Sequence, residues 1–262
     1  MSALEEGFRA QPRHGFIPFL VAGDPDLKTT AALIAALSEL KPVAIEVGVP
    51  FSDPTADGPI IQRSGQRALR HGVDLAAILD MLRATRDEPR APIVLFGYYN
   101  PIFQLGIGKF VRAARDAGVA GVLVVDLPAE AAGPLQKALR QHAIDLILLV
   151  APTTSALRLK KIARLASGFI YAVARTGVTG TSRNLTDESR ELVRRIRAVS
   201  DLPVAVGFGI TNRAQALRVW KYADAAVVGS RLVAEIEAAS TEGRQNRAAI
   251  VRRVVGCARQ FV

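Results

Sequence analysis

Three carboxylates, Glu46, Asp53 and Asp57, stand in the stretch IEVGVPFSDPTADGP (45–59), and no lysine or arginine occurs from Pro42 to Gln62. The whole chain carries 34 Lys and Arg against 24 Asp and Glu, so this gap is local. Such a gap raises the question of what needs carboxylates there. Strand alternation in VAIEVG (43–48) puts Ile45 and Val47 on one face and Ala44, Glu46 and Gly48 on the other. An unpaired charge among such neighbours is costly to bury. Two readings of Glu46 therefore stand, an ion pair with a base from elsewhere in the fold or a catalytic acid/base group whose pKa burial lifts toward neutrality.

The loop PFSDPTADGP that follows is built to hold a shape. Pro50, Pro54 and Pro59 restrict φ, and Gly58 offers an unusual backbone angle. Asp53 precedes Pro54 and Asp57 precedes Gly58, so each fits a turn-stabilising role as well as a chemical one. A second constellation lies late in the chain, where GFGIT (207–211) and VGSRL (228–232) place glycines ahead of helix-like segments. Backbone N–H groups can approach an anion closely there, with a helix aiming its positive end at the same point. A third is RTGVTGTSRNLTDES (175–189), in which Gly177 and Gly180 give hinge freedom, Thr179, Thr181 and Ser182 give hydroxyls, and Thr186 suits a helix N-cap. It reads as a lid, with a plain surface loop as the alternative.

These groups need a scaffold. Eight apolar, β-branched runs supply it: FIPFLVAG (16–23), VAIEVG (43–48), PIVLFGY (92–98), GVLVVD (121–126), LILLVA (146–151), FIYAVA (169–174), PVAVGFG (203–209) and AAVVGS (225–230). Most lack polar alternation, as parallel strands covered on both sides do. Amphipathic segments such as TTAALIAALSEL lie between them, so the pattern predicts a TIM (β/α)8 barrel in one domain spanning 1–262. The competing open doubly wound sheet calls for a glycine-rich fingerprint after its first strand, and DPDLKTT stands there instead. Run starts are 27, 49, 29, 25, 23, 34 and 22 residues apart, so the excess length follows strands 2 and 6. In a barrel those βα loops form the face that carries chemistry. The shorter units are expected to hold one helix each.

Phe19, Phe96, Tyr98, Tyr99, Tyr171 and Phe208 cluster at strand ends, as core or as the lining of a flat apolar pocket. His14, His71 and His142 are dispersed and form neither a metal cluster nor a triad, and Cys257 stands alone. A reducing cytoplasm is expected, and the N-terminus resembles no signal or presequence. No stretch reaches the roughly 18 apolar residues of a membrane span. The net charge of +10 is spread at helical spacings, as in Arg190, Arg194, Arg195 and Arg197, without interleaved aromatics. That pattern describes solvated helix faces better than a nucleic-acid surface, although a positive field favours an anionic substrate.

PFLVAGDP (18–25), IEVGVPFSDPTADGP (45–59), YYNP (98–101), VVDLP (124–128), RTGVTG (175–180), VAVGFGI (204–210) and VVGS (227–230) together resemble tryptophan synthase α subunits, in that family's order over nearly the whole chain. The resemblance implies a lyase of tryptophan biosynthesis that splits indole-3-glycerol phosphate by a retro-aldol reaction into indole and glyceraldehyde 3-phosphate. It makes Glu46 the acid/base that serves indole C3 and the side-chain hydroxyl, and Asp57 the partner of the indole N–H. It puts Phe19, Tyr98 and Leu123 against the indole and Tyr171 beside the catalytic acid. It assigns the phosphate to Gly180, Gly209, Gly229 and Ser230, and makes Thr179 the lid residue that closes onto Asp57. It also implies a β-subunit partner in an α2β2 complex, touched through Pro50 and Asp53, with pyridoxal phosphate held by that partner and no cofactor in this chain. KPV (41–43) and Arg231 depart from the family pattern and bear on helix packing, partner docking and phosphate affinity. A free-standing indole-releasing lyase shares the motifs, and so does a weakly active regulatory subunit. An indole-glycerol-phosphate synthase needs a strand-end lysine, which none of the eight runs contains.

Overall fold

A computed structural model of the chain describes residues 1–11, 14–173, 185–207, 209–241 and 246–262. Within them eight parallel strands close into a barrel in sequence order, β1 (Gly15–Val21), β2 (Ile45–Gly48), β3 (Ile93–Gly97), β4 (Val119–Val124), β5 (Asp145–Val150), β6 (Ile170–Val173), β7 (Val204–Gly207) and β8 (Ala225–Val228). β8 pairs back onto β1 from Gly15 opposite Ala225 to Pro18 opposite Val228, which removes both sheet edges. The predicted TIM barrel is therefore the fold observed. Among the described residues no helix is long and apolar enough to cross a membrane.

The helices are α1 (Ala3–Ala10), α2 (Leu27–Ser38), α3 (Pro59–Arg70), α4 (Leu75–Ala84), α5 (Tyr99–Leu105), α6 (Ile107–Asp116), α7 (Gly133–Arg140), α8 (Ala156–Leu165), α9 (Leu185–Arg197), α10 (Arg213–Val219), α11 (Ser230–Thr241) and α12 (Arg247–Ala258). The long unit after β2 holds two of them, α3 and α4, as its excess length requires. The unit after β3 also holds two, α5 and α6, although its 29 residues suggested a single helix. Gly106 makes this possible: at φ +83 it ends α5 and starts α6 with no spacer, a conformation that side chains resist.

α1 is an element that the sequence reading passed over. Its signal is the capping box formed by Ser2 and Glu5, in which the Ser2 hydroxyl accepts from the Glu5 N–H and the Glu5 carboxylate accepts from the Ser2 N–H. Leu4 and Phe8 are buried, Phe8 packs 5.5 Å from Phe169, and the Leu4 methyl lies against Gly121 and Gly168 at the N-terminal ends of β4 and β6. That end of the barrel is thereby plugged with hydrocarbon, and the C-terminal end is left for chemistry.

Strand register decides what faces the interior. Phe19, Glu46, Val94 and Gly121 are successive partners across β1 to β4, Gly48, Phe96 and Leu123 form the next layer, and Leu149, Tyr171 and Ala205 pair across β5 to β7. Partners in a parallel ladder project the same way, so Glu46, Phe19, Phe96, Leu123 and Tyr171 all point inside.

Candidate active site

Glu46 is fully buried on β2, and both of its carboxylate oxygens lack a hydrogen-bond partner among the described residues. No lysine or arginine of those residues forms an ion pair with it, which removes support for the structural reading of this acid. With no ion pair among the described residues to offset the cost of charge, burial pushes its pKa up to about 8. At neutral pH it is a protonated acid that can also accept a proton once it has given one up.

Aromatic rings crowd the same level. Phe19 stands edge-on to Phe96 at 5.3 Å between centroids, and Phe96 lies 6.4 Å from Tyr171. The strand ends make room for them by having no side chains. A Cβ on Gly48 would sit 2.7 Å from the Phe19 ring, and one on Gly229 would meet the same ring at 3.2 Å. A Cβ on Gly207 would collide with the Tyr171 hydroxyl. Tyr171 is itself buried, and its pKa is driven well above the phenol range by that burial first and by the Glu46 charge second, so the two groups sense each other inside the barrel. The sequence offers the glycines at the ends of β7 and β8 as anion ligands or helix entries; Gly207 instead makes room for a ring, as Gly48 does at the end of β2.

The loop between β2 and α3 brings Asp57 to this mouth. Phe19, Gly48, Phe51, Phe96 and Tyr98 share with Asp57 the lining of one pocket. The Tyr98 hydroxyl accepts from the Ala56 N–H at 3.0 Å and donates toward Asp57 Oδ2 at 3.4 Å, while its ring stacks on Phe51 at 4.8 Å. Gln62 Nε2 donates to the carbonyls of Asp57 at 2.9 Å and Pro54 at 3.4 Å, which ties the loop to the first turns of α3. Gly58 departs from its expected role: it caps α3 at φ −74 and ψ 164, an angle open to any residue, with Pro59 at the first helical position. The loop's shape therefore comes from its prolines, Tyr98 and Gln62.

Burial raises the Asp57 pKa to about 6, and the Tyr98 hydrogen bond works against that rise. Tyr98→Phe removes the opposing contact, so the Asp57 pKa is expected to climb above about 6 in a carboxyl NMR titration. A pKa unchanged or lowered in Tyr98→Phe would show that the 3.4 Å contact does not hold the charge.

Leu123 is buried in the same inner layer as Phe96 and also lines a small apolar space with Val49, Gly97 and Tyr98. At the far side, Gly229 accepts the first bonds of α11 from Leu232 and Val233 at 2.9 and 3.1 Å, so the amides of Ser230 and Arg231 belong to the unpaired first turn of that helix. That end attracts anions through its amides and its dipole. The Arg231 side chain turns along the helix to Glu235 at 2.7 Å. Gly209 is exposed at φ +95, where glycine is the residue that fits without strain. Thr179, Gly180 and the rest of the expected lid lie outside the described residues, as does Phe208. Of the two residues expected at a partner surface, Asp53 is exposed, accepting from the Ser52 hydroxyl at 2.7 Å, and Pro50 is buried. Among the described residues no group of three or more His, Cys, Asp or Glu is placed to hold a metal ion.

The family model described as tryptophan synthase alpha chain matches residues 6–259. The tryptophan synthase alpha chain of Neisseria meningitidis serogroup A is 42% identical over 257 residues, 97% of each chain. That of Trichormus variabilis is 47% identical over 237 residues, 89% of each. Among solved structures, tryptophan synthase subunit alpha from Legionella pneumophila str. Paris superposes with a TM-score of 0.87 at 33% identity, covering 100% of this chain and 98% of that one. A chain of the tryptophan synthase complex from Pyrococcus furiosus superposes at 0.80 with 36% identity, covering 92% and 96%.

Proposed function

Because the chain belongs to the tryptophan synthase alpha chain family, lyases of tryptophan biosynthesis that cleave indole-3-glycerol phosphate, we propose that Glu46 and Asp57 divide the proton and charge handling of that cleavage between them. The observation that carries this reading is the fully buried Glu46 carboxyl, without a hydrogen-bond partner among the described residues, protonated at neutral pH and aimed into the barrel.

In the proposed sequence, neutral Glu46 gives its proton to indole C3, and the ring becomes a cation with its charge on nitrogen. The Asp57 carboxylate, ionised above about pH 6, stabilises that charge at the ring N–H. The Glu46 carboxylate then takes the proton of the hydroxyl on the carbon attached to C3. As it does, the bond between C3 and that carbon breaks, its electron pair returns to the ring, and the carbonyl of glyceraldehyde 3-phosphate forms. Glu46 ends protonated, as it began, so no external acid or base is consumed. Phe19, Tyr98 and Leu123 would bound the flat indole, with Tyr171 steadying Glu46, and the aromatic and apolar character of the described mouth supports these roles. Gly209, Gly229 and Ser230 would hold the phosphate together with Gly180, as the unpaired first turn of α11 supports, and Thr179 would be the residue that meets Asp57.

The relationship to a tryptophan synthase complex supports a β-subunit partner for this chain. We take the assembly to be α2β2, with indole passed to the β subunit, which uses pyridoxal phosphate and L-serine to make L-tryptophan. Asp53 is the contact that its exposure favours, and buried Pro50 would act by fixing the loop. A cytoplasmic site of action belongs to the same reading, in keeping with a single cysteine.

The test is to follow indole release from indole-3-glycerol phosphate by the purified chain, alone and with a tryptophan synthase β subunit. Release by the chain alone, raised on addition of the partner, is expected. No indole under either condition would refute the roles given to these acids.

A further inference from the structure

Resting on the reading of Asp57 above, we propose that Arg67 and Glu237 are positioning residues that fix the distance between the loop acid and the anion-holding end of the site. Two helices start at that site. α3 begins just after Asp57, capped by Gly58, and α11 begins at Ser230. What holds their starts in a fixed relation lies one to two turns behind them.

Arg63 and Arg67 are one turn apart on α3 and so share a face. Both grip Glu237 on α11: Arg63 in a fork, Nε to Oε1 and Nη2 to Oε2 at 2.8 Å each, and Arg67 through Nη1 to Oε1 at 2.8 Å. The other edge of the Arg67 guanidinium is turned to Asp24 in the loop after β1, with Nε to Oδ1 at 2.8 Å and Nη2 to Oδ2 at 2.6 Å. Asp24 is fully buried and also accepts from the Ser64 hydroxyl. One planar cation thus ties three segments that the chain keeps far apart: the exit of β1, the helix behind Asp57 and the helix behind Ser230.

The lever arms are short. At about 1.5 Å of rise per residue, Glu237 lies roughly 10 Å along α11 from Ser230, and Arg63 roughly 6 Å along α3 from Pro59. Sliding α3 against α11 would therefore move Asp57 relative to the anion end by nearly the same amount, and about 1 Å of misplacement in a reacting constellation can cost roughly a hundred-fold in rate. The clamp also keeps its charge where an enzyme is assayed. Arg63 first, then Arg67, hold the Glu237 pKa down at about 2, so it stays ionised across the neutral range and adds no limb of its own to a pH profile.

A double-mutant cycle with the full chain separates positioning from plain support. Glu237→Gln is expected to lower kcat for indole release about ten-fold with KM within about three-fold, since the phosphate end stays intact. In an Asp57→Asn background the same change should lower kcat less than two-fold, because the group being positioned is already gone. Equal fold-losses in the two backgrounds, or a change confined to KM, would overturn the proposal. Arg67→Lys provides a second arm: an ammonium cannot serve Asp24 and Glu237 from two edges, so a comparable kcat loss is expected, and full retention of kcat would refute the geometry. Arg63→Gln, at a half-exposed position, should give a smaller loss of the same coupled kind, and an uncoupled loss would count against the clamp. The underlying reading fails separately, if Asp57→Asn alone cleaves as well as the wild type.

Discussion

Glu46→Gln is expected to lower indole release by roughly a hundred- to ten-thousand-fold, the usual contribution of a general acid/base group, while leaving the protein at least as stable as the wild type. The two halves of this result have one cause. Glu46 is fully buried without a hydrogen-bond partner among the described residues, so its charged form is penalised and its pKa stands at about 8 instead of 4.5. Between those two values the native state binds more protons than the unfolded chain, and stability must fall as pH rises. Above about pH 8 the folded protein carries the full penalty of a buried carboxylate, on the order of a few kcal/mol. Glutamine is neutral throughout and nearly isosteric. Its melting temperature should match that of the wild type near pH 5 and exceed it increasingly toward pH 9. Thermal melts at several pH values, beside the activity assay, check both halves. A variant that is inactive and also strongly destabilised at every pH would mean that Glu46 supports the fold, and one that is fully active would remove it from the chemistry.

That pairing of lost activity with unlost stability is what makes β2 informative in the bare sequence. A glutamate flanked by Ile45 and Val47 in a short buried strand breaks the rule that such positions are apolar, and stability offers no reason for the exception. The barrel was legible for a related reason: strands covered on both faces read as continuous apolar runs, and eight of them in order leave few topologies. Short contacts between distant segments were not legible. Nothing in the residues around Asp24, Arg67 or Glu237 says that they meet, because side chains 43 and 170 residues apart are joined only by barrel closure. α1 was missed for the opposite reason, its signal being local but brief, a Ser2 and Glu5 capping box in front of two buried apolar residues. Gly48 and Gly207 escaped because a glycine that makes room for a ring looks, in sequence, like one that makes room for an anion or a turn.

Asp57→Asn is the second large effect expected, a fall of roughly a hundred- to a thousand-fold in kcat, the scale of losing one fixed electrostatic partner of a developing charge. Its signature is in the pH dependence. Cleavage as proposed needs Asp57 ionised, which holds above about pH 6, and Glu46 protonated, which holds below about pH 8. The wild-type rate should therefore be bell-shaped, rising through the first value and falling through the second. Asparagine carries no proton to lose in this range, so the acid limb should vanish and the residual rate should stay level from about pH 5 to 7, with the alkaline limb of Glu46 intact. The substitution keeps an oxygen that the Tyr98 hydroxyl can reach, so a collapsed loop is not the expected cause of the loss. An acid limb that persists near pH 6 in the asparagine variant would assign that ionisation to another group, the substrate phosphate with its own second pKa near 6 being the first to examine. In the wild type a phosphonate substrate analogue, whose second ionisation lies elsewhere, distinguishes the two: the limb moves with the ligand if the phosphate is responsible, and stays at about 6 if it belongs to Asp57.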